Sequence, residues 1–294
     1  MSFSVLGAFR DSWSFIASRW LDLLKVLWFP MAAMSLGDAL LTPRYVMFLR
    51  RILEEGPEGD ATVVMGAMGS LIPVVLALMA LALVTSAMAF GGVARLALND
   101  TRPSLPINLT FGVDELRLIG TNLVTALILA AAMFGWGVVR GAVGMAAGGA
   151  AVAMAMDVAA YLTAAFLLVR LSLATPAVID ERAIGVGPSW RATRGRFLAL
   201  FGYWSMIGLV LLMAVFGLEA ILPLPEGVTL NAPSADPIQQ QLDMLKVTEA
   251  LSDLSNPINL ARQVVFFVAT MAAAAIVATA SCMAWRQIAS AAKR

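Results

Sequence analysis

The sequence predicts an all-α integral membrane protein with six transmembrane helices arranged as three pseudo-repeated hairpins, each preceded by an amphipathic interfacial helix. Three observations carry that expectation. Hydrophobic residues make up 60% of the 294 positions and charged residues only 13%, with a mean hydropathy of +0.85. Apolar runs of membrane-crossing length recur without the polar alternation of a soluble domain. Basic, tryptophan-bearing segments recur ahead of those runs.

A membrane-crossing helix takes about 20 residues, and six stretches qualify: 19–41, 70–94, 117–139, 150–173, 196–222 and 259–285. An even count puts both termini on one side. Pro73 offers the second stretch a bend or a start, because proline removes a helix donor. The side with the termini and the connections 95–117 and 170–196 carries Arg10, Arg19, Arg95, Arg102, Arg117, Arg170, Arg182, Arg191, Arg194, Arg196, Arg286, Lys293 and Arg294. The other side carries only Arg44, Arg50, Arg51, Arg140, Lys246 and Arg262, beside an acidic set that includes Glu54, Glu55, Asp236 and Asp253. The positive-inside rule then places both termini in the cytoplasm. The sequons at Asn99 and Asn108 fall on that same side, where glycosylation is not expected. No basic n-region and compact apolar core opens the chain, so a cleaved signal peptide is not expected.

The chain reads as a single polytopic domain over 1–294 with pseudo-repeats near 1–100, 101–176 and 177–294. The ungapped match of Ser12-Trp13 with Ser189-Trp190 brings Arg19 over Arg196 and Leu23 over Leu200. A weaker third copy covers Asn108 to Val124. The returning ends "ARLAL" at 94–98, "VRLSL" at 169–173 and "WRQIA" at 285–289 repeat as well. An entry segment lying at the interface would bury Phe3, Leu6, Phe9, Trp13 and Ile16 at the acyl boundary while its arginines meet anionic headgroups; ordinary juxtamembrane anchoring remains the alternative. On the other side, Ile238, Leu242, Leu245 and Leu251 sit at helical spacing within 223–258 and predict a surface-lying helix.

Candidate chemistry is sparse. Asp157 is the acidic residue well inside a predicted span, where a carboxylate must be paired or hydrated. It is either a protonatable or ion-coordinating group lining a cavity or a structural group in a buried pair with Arg140, which lies just past the preceding span and could snorkel inward. Arg170, Trp190, Arg191, Arg194 and Arg196 form the candidate lipid-headgroup set. Gly144 and Gly148 have the GxxxG spacing of close helix contacts, although the crowd of glycines there reads as a flexible turn. The seventeen methionines read as adaptable packing.

Absences narrow the function further. With no histidine, His-based acid–base catalysis, His-zinc sites and a Ser-His-Asp triad are excluded. Neither GxxxxGK[ST] nor GxGxxG occurs, and no cofactor or nucleic-acid partner is expected. The single Cys282 makes an intramolecular disulfide impossible.

The stretch "VRLSLATPAVIDERAIGVGPSWRATRGRFLALFG", Val169 to Gly202, resembles a bacterial multi-span family that includes the membrane domain of some glycerophosphoryl diester phosphodiesterases and related YciC-like inner-membrane proteins. The resemblance rests on Arg170, Pro176, the "VIDE" at 178–181, Ser189-Trp190 and Thr193-Arg194-Gly195. It implies an inner-membrane helical domain, sometimes fused to a barrel that provides catalysis. This chain lacks that barrel, so no hydrolase activity carries over. The expected function is therefore non-enzymatic: binding anionic lipid headgroups, or organising membrane or partner proteins, with a homo-oligomer or another membrane protein as possible partner. The alternative is a small-solute or lipid transporter with a cavity around Asp157.

Overall fold

A computed structural model describes residues 3–55, 61–103, 111–147, 149–222, 245, 246, 248 and 255–292. The described chain is helical, with no strand among the described residues: α1 (Val5–Glu55), α2 (Ala61–Asn99), α3 (Val113–Ala147), α4 (Ala150–Leu171), α5 (Ala174–Glu181), α6 (Val186–Ala192), α7 (Phe197–Ile221) and α8 (Pro257–Ala292). Six stretches are long and apolar enough to cross a membrane: Val5–Arg50, Leu71–Asn99, Val113–Gly144, Ala151–Glu181, Phe197–Ile221 and Pro257–Ala291. Helices are the expected solution, since hydrocarbon offers no partner to an unsatisfied backbone group.

The chain forms two compact units, one comprising 1–27, 86–210 and 274–294, the other 28–85 and 211–273. In the first unit α3 packs on α4, α5 and α6, and α6 also contacts α4 and α5. Its core gathers Ala87, Ala94, Ala97, Leu118, Val178, Ile179, Cys282 and Met283, with Phe15, Leu98 and Ile119 against it. α2 and α8 contribute mostly small residues to this core, Ala87, Ala94, Ala97 and Cys282 among them. Polar bonds then fix the register. Tyr203 Oη donates to the Ala280 carbonyl at 3.0 Å and shares a hydrogen bond with Ser12 Oγ at 2.9 Å, tying α7 to α8 and α1. Ser281 Oγ donates to the Ser172 carbonyl, and Trp285 Nε1 donates to Asp180 Oδ2 at 3.0 Å.

The second unit is simpler. A Cβ added at Gly37 would strike the Leu81 side chain, so α1 and α2 lie in contact there. Thr85 Oγ1 returns a bond to the Leu81 carbonyl at 2.8 Å, Trp28 meets Phe29 edge-on, and the Arg262 guanidinium lies 5.3 Å from the Phe266 ring centroid. The Asn256 side chain caps α8 by accepting the Ile258 N–H at 2.9 Å.

Several expectations change in detail. α2 starts at Ala61 and runs through Pro73, which therefore does not start the helix. The glycine-rich stretch after the third span is no long turn: α3 continues through Gly141 and Gly144 to Ala147, and Gly149 already caps α4. Glycine is a poor helix former in water, but in an apolar medium an unpaired peptide costs more than glycine entropy. Arg140 consequently lies inside α3 rather than beyond it. The third entry segment is not a separate helix in its described part, because α3 begins at Val113 and runs on unbroken. The surface helix expected across 223–258, Gly148 and Asn108 lie largely or wholly outside the described residues; Leu245 is described as helical.

Two of the breaks in helical geometry on the basic, termini-bearing side fall at the matched entry segments. Arg19 departs from helical dihedrals (φ −125°, ψ 20°), kinking α1. Between α6 and α7 the chain turns through Thr193, Arg194 and Gly195, with Gly195 at φ +74°. Only a residue without Cβ takes that dihedral freely.

Candidate functional site

The strongest side-chain constellation forms where α4 ends. Arg170, in the last turn of α4, lies with its guanidinium 5.2 Å from the Phe166 ring centroid and 5.2 Å from that of Trp190. The two rings meet edge-on at 6.0 Å, and the flat guanidinium that lies against both is held by ring quadrupoles as well as packing. Arg170 Nη1 donates to Thr193 Oγ1 at 3.3 Å, and the Arg170 carbonyl accepts a 2.7 Å bond from Ser189 Oγ. Both Ser189 and Thr193 are fully buried. α6 is thereby fastened to the end of α4 through its serine and threonine, and Trp190 is turned to the surface, 41% exposed.

Around this clamp the five predicted residues divide into two groups. Arg170 is internal, and Arg196 Nη1 donates to the Ala192 carbonyl at 3.1 Å, stabilising the end of α6. Arg191 and Arg194 are exposed; Arg191 holds Glu181 only loosely at 3.5 Å, with both side chains largely in the open. Arg182 is exposed at the left-handed cap of α5, and Ile184, Leu198 and Phe201 are exposed nearby in sequence. Trp190 thus belongs to a stretch of sequence, 182–201, that exposes both apolar and cationic groups. Such a mixture suits the zone where acyl chains give way to headgroups.

Sequence reasoning assigned the arginines as one set, yet many have internal partners. Arg95 pairs with the buried Glu115 at 2.5 Å, and Glu115 also accepts the Gly112 N–H at 2.8 Å, closing the start of α3. Arg19 meets Asp100 at 2.7 Å and Asp22 at 3.6 Å, while Arg117 meets Asp114 at 2.8 Å. Glu115 was not singled out by sequence. Its capping position, three residues after Gly112, was the available signal.

The second predicted pair is brought together. Arg140 Nη1 lies 3.1 Å from Asp157 Oδ1, joining α3 to α4, but the side chains are 56% and 41% exposed, so the pair is not buried.

A cavity of about 480 Å³ lies elsewhere in the first unit. Its walls are largely apolar, with Phe90, Leu168 and Trp204 among them, and its polar lining consists of neutral groups such as Asn122, Thr125 and Thr175. Asn122 Nδ2 donates to Ser86 Oγ at 3.3 Å across this wall. Asp157 is not among the lining residues. Among the described residues no group of three or more Cys, Asp or Glu is placed to hold a metal ion.

Fold and surface together define a polytopic helical membrane protein. No family model matches the chain, and neither a curated protein nor a solved structure matches it significantly.

Proposed function

We propose that the chain is a non-enzymatic bacterial inner-membrane protein, with both termini cytoplasmic, that binds anionic lipid headgroups at the termini-bearing face and organises membrane or partner proteins there. The observation that carries this reading is Trp190, exposed beside the exposed Arg191 and Arg194 on a helix clamped by Arg170. A rigid tryptophan at the acyl boundary with two cations above it meets the requirements of headgroup binding. Arg170 and Arg196 then act as positioning residues, and Arg191 and Arg194 as the headgroup contacts.

The relation between the first and last entry segments is supported by positions that coincide in the ungapped match. Ser12 and Ser189 are both buried, as are Leu23 and Leu200, and Val26 and Tyr203. The kink at Arg19 matches the residue that precedes α7, Arg196. An entry helix that breaks before the span is what an interface-lying segment requires. The resemblance of Val169–Gly202 to the phosphodiesterase membrane-domain family fits the same reading.

Native mass spectrometry of the full-length protein released from membranes tests the proposal. Replacing Arg191 and Arg194 by alanine should remove bound anionic lipid, and adding Arg196→Ala should remove no more. Unchanged lipid retention in the double variant would refute it. The transport alternative is favoured by one observation, the 480 Å³ cavity with its neutral polar lining. Filling it with Ala278→Phe should abolish flux of a neutral solute in that case, whereas Asp157→Asn should matter only if the path runs past the α3–α4 pair.

A further inference from the structure

The hairpin of α3 and α4 is the least covered part of the membrane-spanning set. Only 11% of the most apolar stretch of α3 and 6% of that of α4 is buried, against 17% to 33% in the other four. On this uncovered surface, within the spans Val113–Gly144 and Ala151–Glu181, stands the Arg140–Asp157 ion pair. Charged groups turned outward from helices apolar enough to cross a membrane characteristically face other protein or water rather than lipid.

The surroundings of the pair define what covers it. Gly137, Gly141 and Gly144 lie three and four residues apart, so they share one face of α3, and Arg140 lies on the same face. A Cβ added at any of the three glycines would meet nothing within 4 Å. The groove they leave allows another helix backbone to approach closely. Phe134, Val138, Met154 and Tyr161 are exposed on the two helices and supply apolar contact area.

We propose that a second copy of this chain packs on the α3–α4 face, with Arg140 of each copy facing Asp157 of the other across a two-fold axis. The patch carries one charge of each sign, so a two-fold rotation brings opposite charges together and leaves none unpaired. A lipid phosphate would satisfy Arg140 but be repelled by Asp157. Acyl chains alone would leave both charges against hydrocarbon. The interface is independent of headgroup binding at Trp190, so either proposal can fail without the other.

Single-molecule photobleaching of the full-length, fluorescently tagged protein in lipid vesicles reads the stoichiometry across a range of dilutions. Wild type should be dimeric, and Gly137→Leu or Gly141→Leu should lower dimer affinity about tenfold or more by closing the groove. Arg140→Glu and Asp157→Arg should each give monomers alone, and dimers when the two variants are co-expressed with different tags. The exchange of both charges within one chain, Arg140→Asp with Asp157→Arg, should dimerise as wild type does.

A second measurement guards against misfolding of those variants. With Cys282→Ala as background, cysteines placed singly at Gly137, Gly141 and Gly144 should include at least one that cross-links two copies on oxidation in the membrane. Leu209→Cys, exposed on α7, is the control and should not cross-link. Wild type that remains monomeric in concentrated vesicles, a dimer indifferent to the glycine and charge variants, or failure of all three cysteines to cross-link would each overturn the proposal.

Discussion

Tyr203 shows how one hydroxyl can hold three helices. It is fully buried, and its oxygen joins the Ala280 carbonyl and Ser12 Oγ. Tyr203→Phe keeps the ring and removes both bonds, while Ser12 Oγ still donates to the Ala8 carbonyl at 2.7 Å; the loss should be roughly 0.5–1.5 kcal/mol and lower the thermal midpoint measured in mild detergent. A midpoint equal to wild type would mean that water or a neighbouring group takes over the bonds. Arg170 is a different case, since its two flanking rings recognise a flat cation. Arg170→Lys retains the charge and should still lose about 1 kcal/mol, because a compact ammonium cannot lie flat against both Phe166 and Trp190. Because the chain holds seven tryptophans, the readout is the Trp190 emission obtained by difference from a Trp190→Phe variant, which should shift to the red as the ring gains water. The sequence identified Arg170 and Trp190 as notable but could not separate a clamp from a contact. That distinction needs Ser189 and Thr193, both buried and bonded to Arg170 from the next helix.

At the scale of elements, the short helices α5 and α6 decide how the segment before α7 is presented. Their corner is locked at Gly185, whose N–H donates to Thr121 Oγ1 on α3 at 3.1 Å. A Cβ there would overlap the Ala174 carbonyl, which is backbone and cannot swing away. Gly185→Ala should therefore destabilise the protein by ~2 kcal/mol or more through overpacking, and in a thermal melt its loss should exceed that of Gly187→Ala, where a Cβ meets nothing within 4 Å. Equal losses would show that the corner can relax. Periodicity found the spans but not this corner, because α5 and α6 have 8 and 7 residues and sit between two apolar runs. Hydropathy also stopped α3 at 139, where charge and glycine begin. The helix continues because its peptides still need partners in an apolar medium.

For the whole molecule, the distribution of charge makes a prediction about sidedness. Exposed Arg182 and Arg286 lie in connections or ends on the basic side, and Gly149 lies in the α3–α4 turn on the other. In a Cys282→Ala background, cysteines at Arg182 and Arg286 should react with an impermeant maleimide only after the cell is opened, and one at Gly149 should react in intact cells whose outer barrier is permeabilised. The reverse pattern would invert the orientation. Wild-type Cys282, 1% exposed in the first unit, should resist the reagent until the protein unfolds. The sequence by itself determined the solvent and the element type: apolar runs of crossing length allow only helices in hydrocarbon, and six of them were countable from hydropathy. Its exclusion of histidine chemistry was equally complete, because an absent residue cannot be supplied by folding. Tertiary structure alone decided which charges are spent inside and which remain outside. Arg95 reads only as one charge on the basic side until α2 and α3 bring it to the buried Glu115, whereas Asp157 reads as a cavity-lining group or a buried partner of Arg140 until folding leaves the two paired on an uncovered face. The physical reason is that charge is written in the chain, but its partner and its dielectric surroundings are set by distances between residues far apart in sequence.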